Sequence, residues 1–374
     1  MNAVPALGPE EATTSEQRAL RAVVRDFLAD TSSSAELRRL IETADGFDRT
    51  TWLRLATELE LPGIAIAEEH GGSGGSAADL AIVLEEMGAA LFPAPFFAAT
   101  ALAAQLLGAS GDVAAMTDLL PGIASGTTIA TACFDGVLGA WGSGAVPLRA
   151  AGTTVSGELR SVVAGPVADL FVVPAVSAAG ISLFAVSADA PGVTRTAMTS
   201  LDLTRSLARV RFDGAPARLI GSEGDAAAGL ARASDLAVVA LAAEQAGGAQ
   251  RCLDMAVGYA KTRVQFGRAI GSFQAVKHLC ADMLVLVESA RSAAQHAARV
   301  AAGGDHAGLA RAAAIAGAYC SDAFMHVATD ALHVHGGIGF TYEHDAHLYV
   351  RRAKASQLML GSPAYHRQRL AALI

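Results

Sequence analysis

The run YAKTRVQFGRAIGSFQ, Tyr259 to Gln274, places an always-charged planar donor, a side-chain amide and a flexible glycine between two segments with long helical patterns. Arg263 and Gln265 there could grip a pyrophosphate through bidentate hydrogen bonds, helped by the N-terminal field of the helix that follows. Spacing alone fits a helical hairpin with a surface arginine better. A second run, HVHGGIGF from His333 to Phe340, pairs glycines where a backbone could approach something closely, with a following helix to offer free N–H groups to an anion. Around it His333, His335, Glu343, His344, Asp345 and His347 match neither HExxH nor a zinc-finger pair, so no metal site is expected. The glycine-dense stretch EEHGGSGG at 68–75 is followed by neither GKS nor GKT, which favours a turn between domains over a phosphate cradle. The GxSxG match at Gly71–Gly75 falls within this glycine-dense turn, which no strand plainly feeds, and that disfavours a serine hydrolase.

The elements that must carry these runs are limited by composition. At 374 residues, 52% hydrophobic and 17% charged, the chain can bury enough surface to offset its ordering entropy, and its length suits two to three domains. Aromatics are only 5% while alanine abounds, which points to closely packed helices. With 28 basic against 36 acidic residues the net charge is −8, so no basic field exists for nucleic acid or an anionic membrane. The four cysteines are scattered, without a CxxC pair, and suit a reducing cytoplasm. The opening residues carry no basic flank before an apolar core, so neither a secretory signal nor a transit peptide is read there. The uncharged segment from Gly88 to Gly111 is long enough to cross a bilayer, but Pro93 and Pro95 interrupt it, and a buried helix-turn-helix is expected.

Periodicity divides the chain into three zones: a helical domain over 1–125, a small β domain over 126–220 and a four-helix bundle over 221–374. Thr14 or Ser15 can cap a helix whose Leu20, Val23, Val24, Phe27 and Leu28 share one face, and a further helix is expected over 77–90. Strands are expected at 127–134, 153–159, 170–176, 181–186 and 208–212, closing as an antiparallel barrel or sandwich. Long helices are expected over 227–262, 273–301 and 306–332, with a fourth after Gly339 that carries Tyr349, Ala353, Ser356 and Leu360. The fold class is thus mainly α with a small β domain.

Taken together, Tyr259–Gln274, His333–Phe340, EEHGGSG at 68–74 and the run Arg351-Arg352-Ala353-Lys354 resemble the flavin-dependent acyl-CoA dehydrogenases over nearly the whole chain. That resemblance implies the same order of helical domain, barrel and bundle, with FAD lying between subunits. Carried over, it assigns Arg263, Gln265, Phe266 and Gln274 to the pyrophosphate, and His333, Gly336, Gly337 and Gly339 to the adenosine end of a neighbouring chain's cofactor. His333 stands where the family usually has glutamine, and an imidazole lacks the amide's paired donor and acceptor.

The family's reaction is α,β-desaturation of an acyl-CoA thioester, in which a carboxylate removes the α proton while hydride leaves for the flavin. The resemblance places that base either directly before Gly361, where this sequence has Leu360, or on the long helix, where it has Ala237. Neither can accept a proton. Val238 replaces the arginine that relatives often carry beside the substrate, although Asp235 keeps the family's acid. The runs Thr131–Asp135 and Arg160–Ala164 also depart from the usual flavin-facing residues. Glu244 is the one carboxylate in the apolar centre of the long helix, but it lies about 10 Å beyond Ala237, and a buried, hydrogen-bonded structural role suits it better than catalysis.

The expectation is therefore a flavoprotein subunit resembling the shorter, base-lacking chains of heterotetrameric acyl-CoA dehydrogenases, including those of steroid side-chain breakdown. A partner subunit in a dimer of dimers would supply the glutamate, an acyl-CoA would be the substrate and electron-transfer flavoprotein the acceptor. A non-catalytic structural paralogue, or a self-sufficient enzyme with a relocated base such as Glu244, are the alternatives.

Overall fold

A computed structural model describes residues 14–134 and 146–374. Residues 1–13, where a leader was sought, and Asp135 of the 131–135 run lie outside the described residues. Helix starts follow the caps that the sequence offers. Thr14 accepts from the Gln17 N–H at the start of α1 (Ser15–Thr31), and the Gln17 side chain returns to the Thr14 backbone. Val24, Phe27 and Leu28 turn inward from α1, while Val23, expected on that face, is exposed. Ser33 and Asp48 cap α2 (Ser34–Leu40) and α3 (Arg49–Glu58), and a capping box of Ser76 and Asp79 opens α4 (Ala77–Ala90).

Past Pro93 and Pro95 a π-helical stretch, Phe97–Ala104, runs into α5 (Gln105–Ser110), and α6 (Val113–Ala124) follows. The uncharged 88–111 segment is therefore a buried turn between helices. Among the described residues no helix is long and apolar enough to cross a membrane.

The strands are β1 (Ala130–Ala132), β2 (Arg149–Ala151), β3 (Thr154–Val163), β4 (Leu170–Ser177), β5 (Gly180–Ser187), β6 (Val193–Ala197), β7 (Leu207–Pro216) and β8 (Arg218–Ile220). They pair in the order β6-β7-β3-β2-β4-β5-β8, with β1 also on β4. This corrects the expected antiparallel barrel. The sheet is mixed, because β1 and β2 both run parallel to β4, with Ala130 opposite Leu170 and Arg149 opposite Val176. β1 meets β4 only after the chain has made the β2-β3 hairpin, and a crossover of that kind brings strands together in parallel. Among the described residues β6 and β8 end the order without pairing to each other, so no closed barrel is seen. Phe171 and Phe212 meet edge to face at 5.8 Å in the sheet's own core.

The C-terminal part opens with α7 (Ala227–Thr262), then a two-residue-strand hairpin, β9 (Val264–Gln265) with β10 (Arg268–Ala269), then α8 (Gln274–Ala302) and α9 (His306–His335). The expected fourth helix is two helices, α10 (Ala346–Leu358) and α11 (Pro363–Leu373). The break has a local cause: Leu360 and Gly361 take φ of 55° and 111°, and Ser362 caps a new start with Pro363 in its first turn. Gly336, at φ 60°, likewise ends α9 in a short 3₁₀ turn, so the glycines close one helix and do not directly open the next.

α4 crosses α7 at two glycines. A Cβ on Gly88 would lie 2.0 Å from the Glu244 carbonyl oxygen, and one on Gly247 would lie 1.8 Å from that of Glu85. This crossing seats Glu244 against the N-terminal helices. Gly247→Ala is expected to cost about 1–3 kcal/mol through overpacking, read as a lower urea midpoint; an unchanged midpoint would contradict the crossing.

Candidate functional site

Three parts of the chain converge on one buried charge cluster. Glu244, in the middle of α7, accepts from Arg205 at 2.7 and 2.5 Å and from Nη1 of Arg352 at 2.9 Å. Arg205 and its neighbours Asp202 and Thr204 come from the β6–β7 connection, and Arg352 comes from α10. Arg352 also places Nε 2.7 Å from Asp202 Oδ2, off the N–H axis, and donates to the Thr204 hydroxyl and carbonyl. Two guanidinium groups thus face two carboxylates, and all four side chains are nearly shut off from water. Burial alone pushes the Glu244 carboxyl up, but Arg205 and Arg352 outweigh it and hold it below the usual range. Glu244 is consequently an anion fixed by two cations.

The cavity beside this cluster is about 30 Å³. The Arg205 guanidinium lies over the Phe97 ring, 4.8 Å from its centroid, and its Nη1 is 3.6 Å from the sulfur of Met359. Met359 precedes Leu360, so the cluster touches the break between α10 and α11. Behind that break His366 is buried, its Nδ1 without a partner, and burial pushes it down to about 4. Asp235 pairs with both terminal nitrogens of Arg369 on α11, one of them at 2.9 Å.

The two runs singled out for an anion lie elsewhere, at the end of the bundle where α7 and α9 finish. Tyr259 stacks on His335 at 4.7 Å, which brings those ends side by side, and His344 packs 4.2 Å beyond. On the hairpin, Arg263 and Gln265 are exposed and Phe266 is 92% exposed, with a left-handed φ of 52°. The Gln265 amide donates to the Val264 carbonyl at 2.9 Å. Gln274 opens α8, whose N-cap Phe273 offers no side-chain acceptor, so the first N–H groups of that helix are uncapped. His333 is exposed, 3.9 Å from Asp330, and nothing lies within 4 Å of a Cβ built on Gly336 or Gly337. Gly339 is different: its Cβ would meet the Leu332 carbonyl at 2.9 Å, so it serves the turn's own packing.

The 68–75 loop spends its N–H groups internally. Those of Ser73, Gly74 and Gly75 donate to the carbonyls of Gly63, Ile66 and Ile64 at 3.0, 2.9 and 2.8 Å. It is a folded turn.

Models of the acyl-CoA dehydrogenase N-terminal and C-terminal domains match residues 14–127 and 235–374. The chain is 34% identical over 357 residues to acyl-CoA dehydrogenase IpdE2 of Mycolicibacterium smegmatis, covering 96% of this chain and 98% of that one. The chain belongs to the acyl-CoA dehydrogenase family. Its members are flavoprotein oxidoreductases acting on acyl-CoA. It is 37% identical to acyl-CoA dehydrogenase FadE34 of Mycobacterium tuberculosis, of whose length it spans 48%. The ChsE4-ChsE5 complex of M. tuberculosis contains a chain similar to it, at 31% identity and a TM-score of 0.87, covering 96% of this chain and 97% of that one.

Within this acyl-CoA dehydrogenase, the positions that the resemblance reserves for a base are apolar and buried: Ala237 is 0% and Leu360 6% exposed. Glu244, the alternative that the sequence offered, is already bound to two arginines. Sequence reading missed Arg205, Asp202 and Thr204. Arg352 stood in a quoted run, but nothing in that run indicated a partner 108 residues away.

Glu244→Gln is expected to cost about 3–5 kcal/mol at neutral pH by leaving excess positive charge buried. Because the folded-state value is depressed, that contribution is complete above the unfolded glutamate value of about 4.3 and is lost as pH falls through the folded value. Denaturation profiles of wild type and variant should therefore converge on acidification; a gap that stays constant with pH would contradict the pairing.

Proposed function

We propose that this chain is the base-lacking subunit of a heteromeric acyl-CoA dehydrogenase that carries out FAD-dependent α,β-desaturation of a CoA thioester. The observation that carries the reading is the commitment of Glu244. No acid stands at Leu360 or Ala237; Glu244 is held as an anion by Arg205 and Arg352, and Asp235, two residues before Ala237, is paired with Arg369. A base must be free to take up a proton near neutral pH. The partner then supplies the glutamate. Chains similar to this one occur in the steroid acyl-CoA dehydrogenase Tcur3481-Tcur3483 and in the ChsE4-ChsE5 complex, which supports a two-chain enzyme and a steroid acyl thioester.

The far end of the bundle fits a dinucleotide. Arg263 is an exposed cation beside the uncapped N-terminus of α8, and the open space over Gly336 and Gly337 would be narrowed by any side chain there. Arg263, Gln265 and Gln274 would hold the pyrophosphate, with Phe266 against the cofactor; His333, Gly336 and Gly337 would receive the adenosine end from a neighbour, and Gly339 would shape that turn. FAD, when bound, supplies the hydride acceptor. Val264, Phe266, Ile338, Phe340 and Tyr342 are all exposed at this end, an apolar group suited to being covered by a second subunit in a dimer of dimers. The domain limits 1–125, 126–220 and 221–374 and a cytoplasmic location belong to the same proposal. So does electron-transfer flavoprotein as electron acceptor, which the likeness, at 26% identity, to a chain in a structure of the electron-transferring flavoprotein of Acidaminococcus fermentans supports.

Co-expression with a glutamate-bearing family member should give a yellow complex that reduces an electron-acceptor dye with acyl-CoA, whereas the single chain should be colourless. In that complex Arg263→Ala is expected to weaken FAD binding about 10–100-fold, the loss of one charge-assisted hydrogen bond. Equal flavin content after gel filtration would contradict the assignment, and a complex that stays colourless would favour a structural paralogue.

A further inference from the structure

A second hollow, of about 190 Å³, lies between α1, α4, α7 and α8. Its base is made mostly of short side chains: Ala81 and Ile82 of α4, Ala243 and Ala246 of α7, and Ala294 and Ala298 of α8, all buried. An alanine ends at Cβ, so helices that turn alanines toward one another leave space unless their backbones close to contact. Ala243 lines this hollow while Glu244, the next residue, turns to Arg205, which separates it from the charge cluster described above.

Polar groups make up the rest of the lining, and they divide by what they already bind. Arg21 and Arg291 both meet Glu85, at 2.7 and 3.4 Å, and Arg21 also meets Glu86 at 2.6 Å, so those charges are matched. Thr14 and Gln17 cap α1, and the Gln17 amide donates to Asp79 at 3.0 Å. Gln295 and Arg299 are different. They stand four residues apart on one face of α8, both line the hollow, and neither side chain has a hydrogen-bond or ion-pair partner among the described residues. Arg299 is exposed, so the hollow is open to solvent beside it.

An engineered apolar cavity of about 150 Å³ takes benzene, so this space suits one six-membered ring or a chain of about six carbons. A guanidinium and an amide one helical turn apart present N–H donors to a carboxylate. We propose that the hollow is a binding site for a small carboxylic acid, whose compact apolar body sits on the alanine base and whose carboxylate is met by Arg299 and the Gln295 amide. An anion without the body forgoes the burial, and a body without the charge leaves the donors unanswered. The site requires nothing of the acyl-CoA reading above.

Fluorine NMR of para-fluorobenzoate with the full chain is expected to show saturable binding at about 0.1–1 mM, displaced by benzoate and not by acetate. The uncharged para-fluorobenzyl alcohol should bind about tenfold more weakly. Arg299→Gln, a change at an exposed position, should weaken the acid about tenfold and leave the alcohol as it was. Ala78→Leu, which adds bulk to a half-buried wall of the hollow, should weaken both. A crystal of the complex should hold the ring between Ala246 and Ala294. Absence of saturable binding, equal affinity for acid and alcohol, either variant matching wild type, or density in the hollow that continues into the chain before Thr14 overturns the site.

Discussion

A carboxylate taken out of water must find positive partners, and in this molecule that requirement ties three parts of the chain together. Glu244 on α7 needs Arg205 from the sheet and Arg352 from α10, and those cations in turn need Asp202 and Thr204. Such a cluster adds little net stability over apolar packing, because desolvation consumes most of the Coulombic gain. It does fix geometry. The β6–β7 connection, the middle of α7 and the α10–α11 break hold one arrangement because any other would leave a buried charge alone.

That arrangement has a chemical consequence. A general base works by exchanging a proton as the reaction proceeds, and its environment must keep the charged and neutral forms close in energy. Two guanidinium groups on Glu244 do the opposite. The chain therefore keeps the fold of a desaturase and, at the other end of its bundle, the groups suited to a dinucleotide, while the position for proton abstraction is apolar. Under the proposed reading, the roles are divided between two chains because the charges here are already committed.

Much of the fold was legible because its signals are local. The bounds of α4 follow from its Ser76 cap, those of α7 from the glycines that flank a long apolar segment, and those of β4 and β5 from continuous apolar runs between turn residues. β2, β6 and β8 were not legible, since they are three to five residues long and mostly exposed, so no alternation marks them. Parallel pairing of β1 with β4 depends on a crossover that no window of sequence contains. The same division applies to the site. Glu244 stood out as the one acid in the apolar centre of α7, but Arg205 lies 39 residues away in a connection with no distinguishing pattern, and Arg352 stood in a basic run that showed no partner.

The most direct measurement is exchange of the α hydrogens of an acyl-CoA with deuterium oxide, followed by NMR in the presence of FAD and the isolated chain. The account predicts exchange no faster than in buffer, with acceleration only when a glutamate-bearing partner is added. Exchange catalysed by the isolated chain, and abolished by Glu244→Gln, would contradict it.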